Sequence, residues 1–132
     1  MPIHTAASGG ELSRITLAIK RVIADLDPVG IYVFDEVDSG VGGPTAEALG
    51  LKLKQVSRSR QVLCITHLPQ IAGIGDQHLF VSKQVRKERT RSMIKSLNHK
   101  QRVEEISRML GGKKITDRTR ANAEELLALR KS

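Results

Sequence analysis

Tryptophan is absent from this sequence, and in 132 residues tyrosine occurs once and phenylalanine twice. So few rings cannot build a platform on which single-stranded bases stack. Cysteine is nearly absent too. Cys64 stands alone, which excludes an intramolecular disulfide and makes a reducing compartment, the cytoplasm, the expected location. No apolar run approaches the roughly 18 residues that a membrane helix needs. The opening Met1-Pro2-Ile3-His4-Thr5 lacks the charged and then apolar pattern of a secretory signal. Motif-like sequence begins within a few residues of Met1, as expected where a fragment starts. The length suits one domain, at roughly 100–200 residues per domain.

Acidic residues are the scarcer charge: 14 Asp and Glu stand against 22 Lys and Arg, a formal net charge of +8, which suits a partner rich in phosphate. The excess is local. Between Lys83 and Arg120 there are 13 basic and 4 acidic residues. Within that segment Arg86, Lys87, Arg89, Arg91 and Lys95 are interrupted by Val85, Met93 and Ile94, the pattern of a strand pair with one solvated face. Two readings stay open for this hairpin: a charged face that serves solubility, and a contact with DNA phosphate, which requires only clustered Lys and Arg.

Leu12, Ile15, Ile19, Val22, Ile23 and Leu26 recur at three- and four-residue steps, predicting an amphipathic helix with one core-facing stripe. Ser8 and Glu11 are placed to form a capping box at its start. After Asp27-Pro28, the run Ile31-Tyr32-Val33-Phe34 has the composition of a strand buried on both faces. A Gly-rich turn follows, and Pro44, Ala46, Leu49, Leu53 and Val56 predict a second helix. Gln61 to Thr66 is a second buried strand ending at His67. A short helix over 69–74 comes next, then a strand from His78 that runs into the basic hairpin and closes near Leu97. Two further helices are striped by Val103, Ile106, Met109 and Leu110, stopped at Gly111-Gly112, and by Ala123, Leu126, Leu127 and Arg130. Strands alternating with helices imply a parallel α/β sheet whose ligands sit beyond the carboxyl ends of its strands. Asp35, Glu36 and His67 all fall at such ends.

Ser8, Gly9 and Gly10 stand at a helix start, where free N–H groups and the dipole favour an anion and glycine allows close approach; a plain capped helix would carry the same residues. Asp35 and Glu36 close an apolar strand, an arrangement that can hold Mg²⁺ beside a nucleotide with one carboxylate and activate water with the other. Charged residues also simply end strands. His67 taken alone is an ordinary surface or core histidine.

The set is more specific than its members. Ala-Ser-Gly-Gly-Glu-Leu-Ser-Arg at 7–14, Ile-Tyr-Val-Phe-Asp-Glu-Val-Asp-Ser-Gly-Val at 31–41 and Cys-Ile-Thr-His-Leu-Pro-Gln-Ile-Ala at 64–72 resemble, in order and spacing, the signature, Walker B with D-loop, and switch-histidine motifs of ABC-type ATPases. Over nearly its whole length, including Arg108-Met109-Leu110-Gly111-Gly112 and Ala123-Glu124-Glu125-Leu126-Leu127, the chain looks like the C-terminal end of the bacterial RecN family, DNA repair relatives of the SMC ATPases. Glu11 and Ala7 depart from the transporter pattern of Gln and Leu and match the RecN variant.

The resemblance implies a single lobe over residues 1–132, the C-terminal half of an ABC/SMC-type P-loop NTPase head: α/β, a mostly parallel sheet flanked by helices, with a basic β-hairpin. It implies ATP and Mg²⁺ as cofactors. Ser8, Gly9 and Gly10 would meet the γ-phosphate of ATP on an opposing head, and Asp35 would help position Mg²⁺ through water. Glu36 would orient and deprotonate the attacking water, Asp38 would act across the dimer interface, and His67 would contact the γ-phosphate or the water. No G-x-x-x-x-G-K-[ST] loop occurs in the chain, so half a head is expected. Its partners would be the lobe that carries that loop, a second head and DNA, and it would have no activity alone. Two other classes remain open: a non-catalytic nucleic-acid-binding or adaptor module that keeps the fold, and a metal-dependent hydrolase using Asp35, Glu36 and His67.

Overall fold

The computed structural model describes residues 9–23, 26, 28–86 and 89–131. Helix α1 (Gly9–Ile23) leads to strand β1 (Ile31–Phe34), helix α2 (Gly43–Val56), strand β2 (Gln61–Cys64) and the short helix α3 (Pro69–Ile74). Strands β3 (Leu79–Arg86) and β4 (Arg89–Ser96), helices α4 (His99–Gly111) and α5 (Asp117–Ala128), and a 3₁₀ turn (Leu129–Lys131) complete the described order. Ser8, and with it the expected capping box, lies outside the described residues, as does Lys87. Among the described residues no helix is long and apolar enough to cross a membrane.

The crossover through α2 makes β1 and β2 parallel neighbours, with Ile31 opposite Gln61 and Phe34 opposite Cys64. β3 and β4 form a separate antiparallel hairpin, Leu79 opposite Ser96 and Arg86 opposite Arg89, closed where Leu97 N–H donates to His78 O at 2.9 Å. Among the described residues the parallel part of the sheet is therefore two strands wide, and the third strand pairs within its hairpin.

Ala46, Leu49, Leu53 and Val56 of α2 are all buried, and Pro44 sits in its first turn, where a missing N–H is harmless. Leu49, Leu53 and Val56 pack with Leu17, Tyr32, Phe34, Val37 and Ile71 into one cluster. Val103, Ile106, Ala123 and Leu127 form a second, between α4 and α5. Helix α3 joins the two. Ile71 belongs to the first cluster and Ala72 packs on the second, and a Cβ on Gly73 would lie 3.1 Å from Leu126 Cβ. The carbonyls at the end of α3 are held by one buried cation: the Arg102 guanidinium donates to Ala72 O at 3.1 Å, Gly75 O at 2.6 Å and Asp76 O at 3.2 Å. This is where a helix most favours positive charge.

Two expectations are corrected. β1 is covered on one face only: Tyr32 and Phe34 are 5% and 4% exposed, whereas Ile31 and Val33 are 57% and 62%. Strand alternation puts Ile31, Val33, Leu63 and Ile65 on the bare side, all exposed. In α1 Ile15, Ile19 and Val22 of the expected stripe also point outward while Leu17 is buried; the side chains of Leu12 and Ile23 lie outside those described. Both corrections have one cause: the described residues supply a single layer of helices for the sheet, and none of them covers the apolar residues opposite that layer.

Candidate functional site

The turn after β1 is tight. Ser39 N–H donates to Glu36 O and Val41 N–H to Asp38 O, each at 3.1 Å, and Glu36 takes φ 59, a left-handed conformation that a side chain adopts at a cost of about 1 kcal/mol or more unless its surroundings hold it. Here they do. Val37 is fully buried within the turn, and α1 stitches the turn from one side. Ser13 Oγ donates to Asp35 O at 2.9 Å, and Arg14 donates to Val37 O at 3.2 Å and Ser39 O at 2.7 Å. The outcome is a pair of carboxylates, Asp35 and Glu36, both exposed, on a backbone with little freedom.

Gly10 lies against the same turn. A Cβ there would fall 2.6 Å from Ser39 Cβ and 2.8 Å from Glu36 O, closer than real contacts allow, so glycine is needed for packing within this chain. Gly9, the first residue of α1, is its neighbour. The helix start expected to meet an anion is thus carried on the turn that presents Asp35 and Glu36.

His67 arrives from the end of β2. Its ring is 78% exposed, and its Nδ1 stands 3.5 Å from Asp38 Oδ2, a carboxylate that is 3% exposed. The Thr66 hydroxyl donates to that same oxygen, as does His67 N–H at 3.2 Å, and Thr66 Oγ1 in turn accepts from Leu68 N–H at 3.0 Å. Within this chain Asp38 is thus turned toward Thr66 and His67. The reason is desolvation: a buried carboxylate needs donors, and Thr66 and His67 supply them. Cys64, beside this cluster, has its thiol pushed up to about 12, first by burial and then by the charges of Asp38 and Asp35. It stays protonated and serves as an apolar side chain.

The structure thus gathers Gly10, Asp35, Glu36, Asp38 and His67 around one turn. Ser13, Arg14 and Thr66 were not singled out from the sequence. Ser13 and Arg14 follow Gly9 and Gly10 by one helical turn, and Thr66 immediately precedes His67 at a strand end, so each lay beside a residue already chosen. Arg86, Arg89 and Arg91 stand apart from this turn, exposed on the hairpin. Among the described residues no group of three or more His, Cys, Asp or Glu is placed to hold a metal ion.

No protein-family profile matches the chain. Relatives along the sequence do. It is 49% identical over 126 residues to DNA repair protein RecN of Vibrio cholerae, 96% of this chain and 23% of that protein. Identity to RecN of Streptomyces coelicolor is 51% over 126 residues, 96% of this chain and 22% of that protein. For RecN of Bacillus subtilis it is 48% over 125 residues, 95% and 22%. Over nearly its whole length the chain is similar to one segment of RecN proteins. It corresponds to a C-terminal segment of those proteins and spans less than a quarter of the length of the curated relatives it matches. The fold of the segment is similar, with a TM-score of 0.60, to a solved structure from work on the structural biochemistry of ATP-driven dimerization and DNA stimulated activation of SMC ATPases. That likeness covers 83% of this chain and 66% of the other at 23% identity.

Proposed function

We propose that this RecN segment is one lobe of an ATP-binding and hydrolysing SMC-like head, in a cytoplasmic, nucleoid-associated protein that acts in recombinational repair of DNA double-strand breaks. The observation that carries the reading is the convergence on one turn: the glycine start of α1 rests on Glu36 O and Ser39, and the His67 segment is tied to Asp38. Three segments far apart in sequence thereby present an anion-binding helix start, two carboxylates and an imidazole together. The names of the relatives support DNA repair, and the fold likeness supports an SMC-type head.

In this reading Glu36 orients the attacking water and takes its proton, and His67 contacts the water or the γ-phosphate. Ser8, Gly9 and Gly10 meet the γ-phosphate of ATP on an opposing head. Mg²⁺ binds through one or two carboxylates together with waters and substrate phosphates. One exposed carboxylate, Asp35, fits that mode, and the lack of a three-ligand cluster among the described residues fits a metal that arrives with its nucleotide. When bound, the ion would neutralise phosphate charge. The bare side of β1 and β2 receives the lobe with the phosphate-binding loop, since no such loop occurs here.

The test is to mix the purified chain with the remainder of a RecN relative lacking the matched segment, and to measure ATP turnover. The chain alone stays at background. The mixture hydrolyses ATP, and Glu36→Gln lowers that rate by about 10²-fold or more. Turnover by the chain alone that Glu36→Gln abolishes would contradict the reading.

DNA contact through the hairpin is favoured by its register. Arg86 pairs with Arg89, Gln84 with Arg91 and Phe80 with Lys95, which puts four cations on one face, because paired residues share a side and successive ones alternate. Neutralising Arg86, Arg89 and Arg91 should lower the salt slope of DNA binding by roughly 0.9 per lost phosphate contact. An unchanged slope returns these residues to a solvated face.

A further inference from the structure

Asp38 Oδ2 is the meeting point of three groups from one short segment: the Thr66 hydroxyl, the His67 backbone N–H at 3.2 Å and the His67 ring nitrogen Nδ1 at 3.5 Å. We propose that Asp38 is the positioning residue of His67, holding Nδ1 protonated so that Nε2 is the nitrogen the imidazole offers outward. This rests on the nucleotide reading above only for what Nε2 then touches.

The argument starts from burial. Asp38 is 3% exposed, and a carboxylate withdrawn from water must be met by donors. Thr66 is committed as one of them, because its oxygen already accepts from Leu68 N–H at 3.0 Å, leaving its proton for Asp38. His67 N–H is a second. Together they fix the backbone that leaves β2, and so fix where the His67 ring is carried. The ring itself is 78% exposed, so packing does not hold it and an electrostatic contact must. A neutral imidazole has one N–H and one lone pair. A lone pair on Nδ1 facing a carboxylate oxygen at 3.5 Å would be repelled, whereas an N–H there is attracted. The carboxylate therefore selects the Nδ1–H form, as carboxylates and carbonyls do for other working histidines. Either contact proposed for His67, with the water or with the γ-phosphate, then runs through Nε2, with Asp38 on Nδ1.

His99 provides the opposite case in the same molecule. Its Nε2 lies 3.2 Å from Glu124 Oε2, so the same principle predicts the Nε2–H form there.

The test is long-range ¹H–¹⁵N spectroscopy of the histidine-labelled full chain, about two pH units above the ordinary imidazole pKa, with His67→Gln to assign the signal. His67 should be mainly the Nδ1–H tautomer and His99 mainly the Nε2–H tautomer. Asp38→Asn, the same shape without the charge, should move the His67 ratio toward Nε2–H by about tenfold, with the amide signals of α4 and α5 unchanged. A role in folding alone would leave the ratio where it was. A majority Nε2–H form of His67 in the unaltered chain, or a folded Asp38→Asn chain with the same ratio, overturns the proposal. If Asp38→Asn does not fold, the tautomer in the unaltered chain still decides. No nucleotide is present, so failure here leaves the ATPase reading standing, and failure of ATP turnover leaves the tautomer result intact.

Discussion

Ile106 and Leu127, facing each other between α4 and α5, are enclosed to within 1% of full burial, while Ile31 and Val33, on strand β1, stand more than half exposed. The helical end is finished. α4 begins with a reciprocal cap, Gln101 N–H donating to Asn98 Oδ1 and Asn98 N–H donating to Gln101 Oε1, and ends at Gly112 with φ 67. α5 begins on Thr116 Oγ1, which accepts from Thr119 N–H. The sheet end has the same kind of residues and no cover among the described ones. Ile31, Val33, Leu63 and Ile65, with Ile15, Ile19 and Val22 of α1, are the exposed apolar surface expected of an interaction face. The contrast teaches that apolar pattern marks a face without saying what covers it, and that the segment carries one closed end and one end with an exposed apolar face.

The comparison can be broken or sharpened by substitution. Ile106→Ala in the closed end should cost about 2–5 kcal/mol, because it empties a fully buried site, read from the urea midpoint of the chain. Arg102→Met comes next. It leaves the carbonyls of Ala72, Gly75 and Asp76 without their donor and should cost about 1–3 kcal/mol by the same measurement. A cost near zero for both would erase the distinction between the ends.

His78, at the base of the hairpin, gives a smaller effect with a definite sign. Burial first, and then the Arg102 charge, hold its pKa below the ordinary 6.5, against the opposing pull of Glu105. The unfolded chain therefore takes up this proton first as pH falls. The stabilisation is complete above about pH 6.5 and is lost as pH drops from there through the folded value. His78→Gln should flatten that part of the stability curve, and an unchanged curve would contradict the assignment. The smallest effect is expected at the open end: Val33→Thr should change the stability of the chain by no more than about 0.5 kcal/mol. In the presence of the remainder of a RecN relative the same substitution should weaken association, and a large cost in the chain alone would mean that the face is covered from within.

Much of this was legible in the sequence where neighbours along the chain decide the outcome. The α2 stripe Ala46, Leu49, Leu53 and Val56 is buried as its period predicts, the 69–74 helix forms where Pro69 allows it, and the hairpin closes at Leu97. What was hidden depends on partners distant in sequence. Asp38 reads as one more acid in a row of acids until Thr66, 28 positions on, is seen to donate to it. Arg102 counts toward the basic segment, yet it is buried against α3. Arg108 is spent on Glu105 at 2.6 Å and Arg120 on Glu104 at 2.9 Å, so the basic surface is narrower than the composition implies and centres on the hairpin. The α1 stripe was read as core because periodicity shows that one side of a helix is apolar, and is silent on which molecule covers it.

Amide hydrogen exchange across the whole chain, with and without the remainder of a RecN relative, tests the central contrast most directly. The account predicts slowed exchange in α1, β1 and β2 when the second lobe is added, with α4 and α5 unchanged. Protection appearing on α4 and α5 instead, or nowhere, would contradict it.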